Sequence, residues 1–248
     1  MSRSKPSGWI FIFLFFGALV LNAQNQTEQT NLPPFIKRNL QRDAARLSLR
    51  TKGLTQDLKD APVKISELEQ QTIFDILQQL YVENPLAKAL FDCQIQTASY
   101  PEIASMQVVL ARNPQGKSGI TTLSKSSIIA LDSLLFNYQL QIEGSTQWNV
   151  RQDVLHLRSR VPLNMEALSK KIIAIEGIEK VIFPHPAYFL TDLKAEKIEN
   201  GWDIEFLVFE PNLENPTHSW KFSIRPDKEI VQSEKGNSLP SWISCQLP

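Results

Sequence analysis

The sequence predicts an α+β protein: a ferredoxin-like βαββαβ unit set between N-terminal helices and a C-terminal antiparallel β meander. Three observations carry this reading. Between Met106 and Phe183 the apolar spacing switches in the order strand, helix, strand, strand, helix, strand. Before that stretch, apolar side chains recur at helical spacing. After it, alternating runs rich in Trp and Phe are divided by the turn signals Asn200-Gly201 and Pro226-Asp227.

The 248 residues begin with a segment of another kind. Arg3 and Lys5 precede an apolar run from Trp9 to Leu21, and Asn22-Ala23 leads into polar QNQTEQTN. A basic start, a short apolar run and a small residue before a polar stretch predict a signal peptide over residues 1–23, cleaved after Ala23. The run is short of the roughly 20 residues a membrane span needs. A secreted or periplasmic location follows, and no transmembrane segment is expected after cleavage. The segment removes two of the chain's 26 basic residues and no acidic one, leaving 24 basic against 26 acidic side chains. Such a balance offers no reason to expect nucleic acid or an anionic membrane as partner.

Residues 24–34 are polar, end in a Pro pair and read as a flexible linker. A helical region follows over 35–100. In its first helix Leu40, Ala44 and Leu47 share one stripe and Arg38, Arg42, Arg46 and Arg50 another, with Gly53 as the stop. The arginine row is expected to be a solvated face, the alternative being an anion-binding surface. The second helix opens on the capping box Ser66-x-x-Glu69 and runs to Glu83, with Leu68, Ile73, Ile76, Leu77, Leu80 and Tyr81 toward the core. Asn84-Pro85 breaks it and starts a short helix through Phe91.

The βαββαβ unit is assigned to 104–186. Met106 to Ala111 is its first strand, RNPQGKSGITT a loop, and SIIALDSLLFNY a helix with Ile128, Leu131, Leu135 and Tyr138 inward. Gln139 to Glu143 alternates as a strand, with a turn expected at Gly144-Ser145. Asp153 to Val161 alternates again, Leu155 and Leu157 opposite His156 and Arg158. Asn164 caps the next helix, Leu163 and Leu168 are placed as a hydrophobic staple, Ile172 and Ile175 face inward, and Gly177 stops it. Ile178 to Phe183 is the last strand, closed by Pro184-His185-Pro186. The meander takes 188–236, and residues 237–248 form a tail.

Two resemblances attach to these phrases. Tyr138-Gln139-Leu140-Gln141-Ile142, Leu163-Asn164, Ile175-Glu176-Gly177-Ile178, Trp220-Lys221-Phe222 and Arg42 to Leu47 resemble secreted Gram-negative bacterial proteins of unknown function. That likeness implies an exported class of protein and no activity. Its cysteine pair before the Trp-x-Phe strand has no counterpart in FEPNLENPTHSW, so its disulfide does not transfer to Cys93 and Cys245. Over Met106 to Phe183 the chain also resembles, more weakly, the propeptide and inhibitor module of subtilisin-like proteases. This implies a βαββαβ fold whose inhibitory segment follows the last strand, where Pro184 and Pro186 depart from the pattern.

Chemistry is sparsely signalled. No G-x-S-x-G elbow, H-E-x-x-H or Gly-rich phosphate loop is present, and no catalytic residue, cofactor or metal site is expected. Cys93 and Cys245 are the two cysteines; an exported chain permits a bridge between them worth about 3–5 kcal/mol, the alternative being two buried thiols. His156 and His218 have packing or surface readings, and His185 in its Pro-flanked loop is a partner-contact candidate with Pro184 and Pro186. Trp202, Phe206, Phe209, Trp220 and Phe222 are expected in the core more than in a ligand groove. The resulting expectation is a non-enzymatic exported module that binds an unknown protein partner. The alternative is an extracellular hydrolase with a dispersed active site.

Overall fold

The computed structural model describes residues 32–236, apart from 99, 113–119, 123–124, 127, 185–189, 212, 214 and 228, together with residue 243. The expected signal peptide, most of the linker, His185, Pro186 and Cys245 lie outside these residues. From Pro34 onward the chain clusters into one compact unit. Its described residues form a mixed α+β structure with five α-helices and two four-stranded antiparallel sheets.

Helix α1 (Pro34–Gly53) starts on a proline, whose missing N–H is no loss in a first turn. The expected linker therefore ends one residue sooner. After a 3-10 turn at Leu58–Asp60 come α2 (Glu67–Glu83) and α3 (Pro85–Asp92). Ser66 accepts from the Glu69 N–H at 3.3 Å, and Asn84 from the Ala87 N–H at 2.9 Å, so both helices begin where a side-chain oxygen can satisfy a free amide. Leu68 leaves the expected core stripe: it is 78% exposed on the first turn of α2.

Strand β1 (Ser105–Ala111) is followed by a short ladder of β2 (Ile120–Thr122), inside what reads from the sequence as loop, with β3 (Lys125–Ser126) just beyond it. Helix α4 (Ile129–Asn137), β4 (Leu140–Asn149), β5 (Gln152–Ser159), α5 (Met165–Ile173) and β6 (Ile178–Ile182) complete the first half. The sheet order is β4-β5-β1-β6, every neighbour antiparallel. Met106 faces Leu157 and Val108 faces Leu155, so one face of the sheet is continuously apolar. Leu131 and Leu135 of α4 and Leu168 and Ile172 of α5 bury in one cluster with that face. Both helices therefore cover the same side.

The expected turn at Gly144-Ser145 is corrected here. Strand β4 continues to Asn149, and a bulge falls between Ile142 and Gly144. A glycine inside a strand marks a bulge as readily as an end. The real turn lies at Val150-Arg151, where the Arg151 N–H donates to Asn149 Oδ1 at 2.8 Å. Helix α5 also ends before Gly177, which instead takes φ 88° in the turn into β6.

Strands β7 (Thr191–Ile198), β8 (Gly201–Val208), β9 (His218–Ile224) and β10 (Ile230–Gly236) form a meander in that order. Gly201 is obligatory: at φ 132° a Cβ there would lie 2.0 Å from the Ile224 carbonyl oxygen. Ile204, Phe206, Trp220 and Phe222 lie on one buried face. Phe91 of α3 meets Phe206 edge-on at 4.9 Å, and Phe206 meets Phe222 at 5.6 Å, which fastens the helical region to this sheet. The other face carries charge: Lys194 is opposite Glu205, and Glu205 opposite Lys221. Helix α1 packs on α2 and against β7.

The arginine row of α1 is the main correction in the helical region. Arg38 is exposed and Arg42 half-buried, but Arg46 is 8% exposed and Arg50 half-buried, so the C-terminal half of the row is no solvated face. Helix α1 buries residues around most of its circumference because α2, the 95–100 segment and β7 enclose it. A stripe read from sequence ranks sides by polarity, but an enclosed helix must bury a polar side too.

A candidate binding groove along helix α1

Leu47, Arg50 and Thr51 recur at i, i+3 and i+4, so the C-terminal half of α1 aims them the same way. Leu54, in the turn just past Gly53, keeps the i+7 position because its N–H still donates to the Arg50 carbonyl at 3.2 Å. They form one wall of a cavity of about 660 Å³. The meander supplies the facing wall from Lys194, Glu196, Asp203, Glu205 and Lys221. Ala98 and Tyr100 close one side, and Tyr100 is 57% and Leu54 82% exposed. A second cavity of about 430 Å³ shares Arg50, Leu54 and Tyr100 and continues past them toward Asp57 and Glu166. Together they make a groove with apolar contacts and a charged rim.

Arg50 holds the groove together. Its Nη1 donates to Asp192 Oδ1 and to the Leu193 carbonyl, both at 2.8 Å. Its Nε and Nη2 donate to the Tyr100 carbonyl at 3.0 and 2.7 Å, and Nη2 to the Ala98 carbonyl at 3.3 Å. Asp192 in turn accepts the Ala98 N–H at 2.8 Å. One guanidinium thus ties α1, the 98–100 segment and edge strand β7, which a lysine ammonium lacks the planar fork to do.

The rim is acidic. Among the described residues lining both cavities, six carboxylates, Asp57, Glu166, Asp192, Glu196, Asp203 and Glu205, stand against three cations, Arg50, Lys194 and Lys221. Burial pushes the Asp203 carboxyl up, but the Lys221 ammonium at 2.6 Å and the Ser223 hydroxyl at 2.7 Å outweigh it and hold it below its ordinary range. The Tyr100 hydroxyl donates to Glu166 at 2.5 Å, which with burial pushes its pKa up to about 12. It is a hydrogen-bond donor throughout the neutral range, with no tendency to act as a base.

The residues singled out from sequence are elsewhere. Pro184 is exposed beyond β6 and lines neither cavity, while His185 and Pro186 lie outside the described residues. Cys93, at the C-terminal cap of α3, is disulfide-bonded. His156 is half-buried on the sheet face away from α4 and α5, its ring 3.4 Å from the Thr146 hydroxyl.

Of the two described histidines, His218 is the one joined to a carboxylate: it is 3% exposed, its Nε2 is 2.7 Å from Glu234 Oε1, and its ring lies against Trp220 at 4.4 Å. Glu234 had a readable signal, since pairing β9 with β10 across Pro226-Asp227 places it diagonally from His218. None of five cavities formed by the described residues is lined by a histidine. Among the described residues no group of three His, Cys, Asp or Glu side chains is placed to hold a metal, and no helix is long and apolar enough to cross a membrane. No family model, curated protein or solved structure matches the chain.

Proposed function

We propose that this is an exported, non-enzymatic protein-binding module, and that the groove along α1 takes an extended partner segment bearing apolar and basic side chains. The groove itself carries this reading: Leu54 and Tyr100 offer exposed apolar surface inside a rim of excess negative charge. Export rests on residues 1–23, and N-terminal sequencing of the mature protein should return Gln24. The first half is read as a split-βαβ, ferredoxin-like unit. What supports this is the order β4-β5-β1-β6 with α4 and α5 in its two crossovers and one shared core. The likeness to protease propeptides enters here as an analogy of arrangement, with the partner a protein in both cases.

Immobilised peptides of basic-apolar and acidic-apolar composition test the reading. The basic set should bind the wild type, and Leu54→Asp or Tyr100→Ala should weaken it about tenfold while Phe136→Asp, far out on α4, should not. Equal capture of both peptide sets would overturn the groove as the site. The hydrolase alternative draws on the His218–Glu234 pair. Turnover of ester, peptide or glycoside substrates, lost in His218→Ala with the fold intact, would establish it instead.

A further inference from the structure

On the side of α1 away from the groove, Arg38 and Arg42 line a separate cavity of about 530 Å³, within the size range of small-molecule sites. They are one turn apart on the same face, so their guanidinium groups repel unless a counter-charge lies between them. Among the described residues neither arginine forms an ion pair, and the buried Asp43 carboxyl, which feels Arg42, stays beyond ion-pair distance of it. Glu67, the one carboxylate among the described residues lining the cavity, stays beyond ion-pair distance of both.

Arg42 is the more telling of the two. It is half-buried, its Nη2 reaches Asn39 Oδ1 at 3.4 Å, and its buried Nε has no hydrogen-bond partner. The neighbouring Asn39 Nδ2 is also buried without an acceptor. Arg46, one turn on, adds a third positive charge: burial and then Arg42 itself hold its pKa below the usual value, against the opposing pull of Asp43 and Glu102. A half-buried guanidinium with unmet donors and like-charged neighbours is costly to fold around, and an arriving oxyanion removes that cost. The rest of the lining includes the apolar surfaces of Phe74 and Pro162.

We propose that this cavity binds a small organic acid, its oxyanionic head between Arg38 and Arg42 and its apolar body against Phe74 and Pro162. Planar forks suit a carboxylate or phosphate head equally, so the oxyanion is the shared requirement. The site is independent of the groove, since the two lie on opposite flanks of one helix.

The test is thermal unfolding of the full mature chain at fixed ionic strength, titrated with benzoate and phenyl phosphate, each against neutral benzamide and against acetate. Benzoate, phenyl phosphate or both should raise Tm saturably, benzamide should not, and acetate should bind about tenfold more weakly for want of an apolar body. Replacing Arg38, which is exposed, by Arg38→Gln should leave the fold intact and weaken binding several-fold. Arg38→Gln with Arg42→Gln should weaken it by about tenfold or more. A response to neither acid, an equal response to benzamide, or acid binding unchanged in both variants would overturn the proposal.

Discussion

Asp43 and Thr97 are joined across 54 residues of chain by two hydrogen bonds to one oxygen: Asp43 Oδ1 accepts the Thr97 hydroxyl at 2.5 Å and the Thr97 N–H at 3.3 Å. Arg46 also donates to the Thr97 hydroxyl oxygen, at 3.4 Å. This contact secures the segment that goes on to form the groove wall at Ala98 and Tyr100. It does so at a cost, because Asp43 is fully buried and its second oxygen has no partner.

Asp43 should therefore make stability fall as pH rises. Burial raises its pKa from 3.8 to about 6, against the opposing pull of Thr97, Arg42 and Arg46. The folded state then binds more protons than the unfolded one between these values, so the slope of unfolding free energy with pH is negative. The stabilisation is complete below about pH 4 and lost as pH rises through about 6, an amplitude of ~3 kcal/mol. Urea unfolding at pH 4 and pH 7.5 reads it. Asp43→Asn, which keeps an acceptor for Thr97, should remove most of that difference.

Arg50→Ala should destabilise by about 2–3 kcal/mol, since it strands the Asp192 carboxylate and three carbonyls in a half-buried site. Arg50→Lys should recover less than half of the loss, because one ammonium cannot span Asp192, Leu193 and Tyr100 together. Chemical denaturation of the three proteins settles it, and a lysine variant equal to wild type would show that charge alone suffices.

Leu168→Ala and Ile172→Ala, both fully buried under the first sheet, should each cost about 2–5 kcal/mol. Ile129→Ser and Phe136→Ser, at positions 84% and 85% exposed on α4, should stay within about 0.5 kcal/mol. Equilibrium midpoints in urea distinguish the two sets.

The disulfide at Cys93 is expected to reach Cys245, since the chain has two cysteines. Proteolysis without reductant should release one cross-linked peptide containing both, and reduction should lower stability by about 3–5 kcal/mol. Two separate peptides, or an intermolecular dimer, would contradict the assignment.

Element type and boundary were readable wherever the deciding residues are near neighbours in sequence. Ser66, Asn84 and Asn164 mark helix starts because each caps an amide three residues on. The alternation of β8 and β9, with Gly201 opening β8, prescribed the buried aromatic face of the meander. Gly144 was ambiguous, since a bulge and a turn use the same residue for the same freedom of backbone.

Composition and local spacing by themselves determined the α+β class, the order of the helices and of the strands in the two four-stranded sheets, the helix starts at Ser66, Asn84 and Asn164, and the apolar faces of those sheets. Tertiary structure alone decided that Arg46 and Arg50 turn inward and that Arg50 meets Leu193 across 143 residues. It also decided that Leu54, Tyr100, Glu205 and Lys221 line one groove. Periodicity and capping are energies between residues a few positions apart, whereas the burial of a charge depends on which distant carbonyl or carboxylate packing brings to meet it.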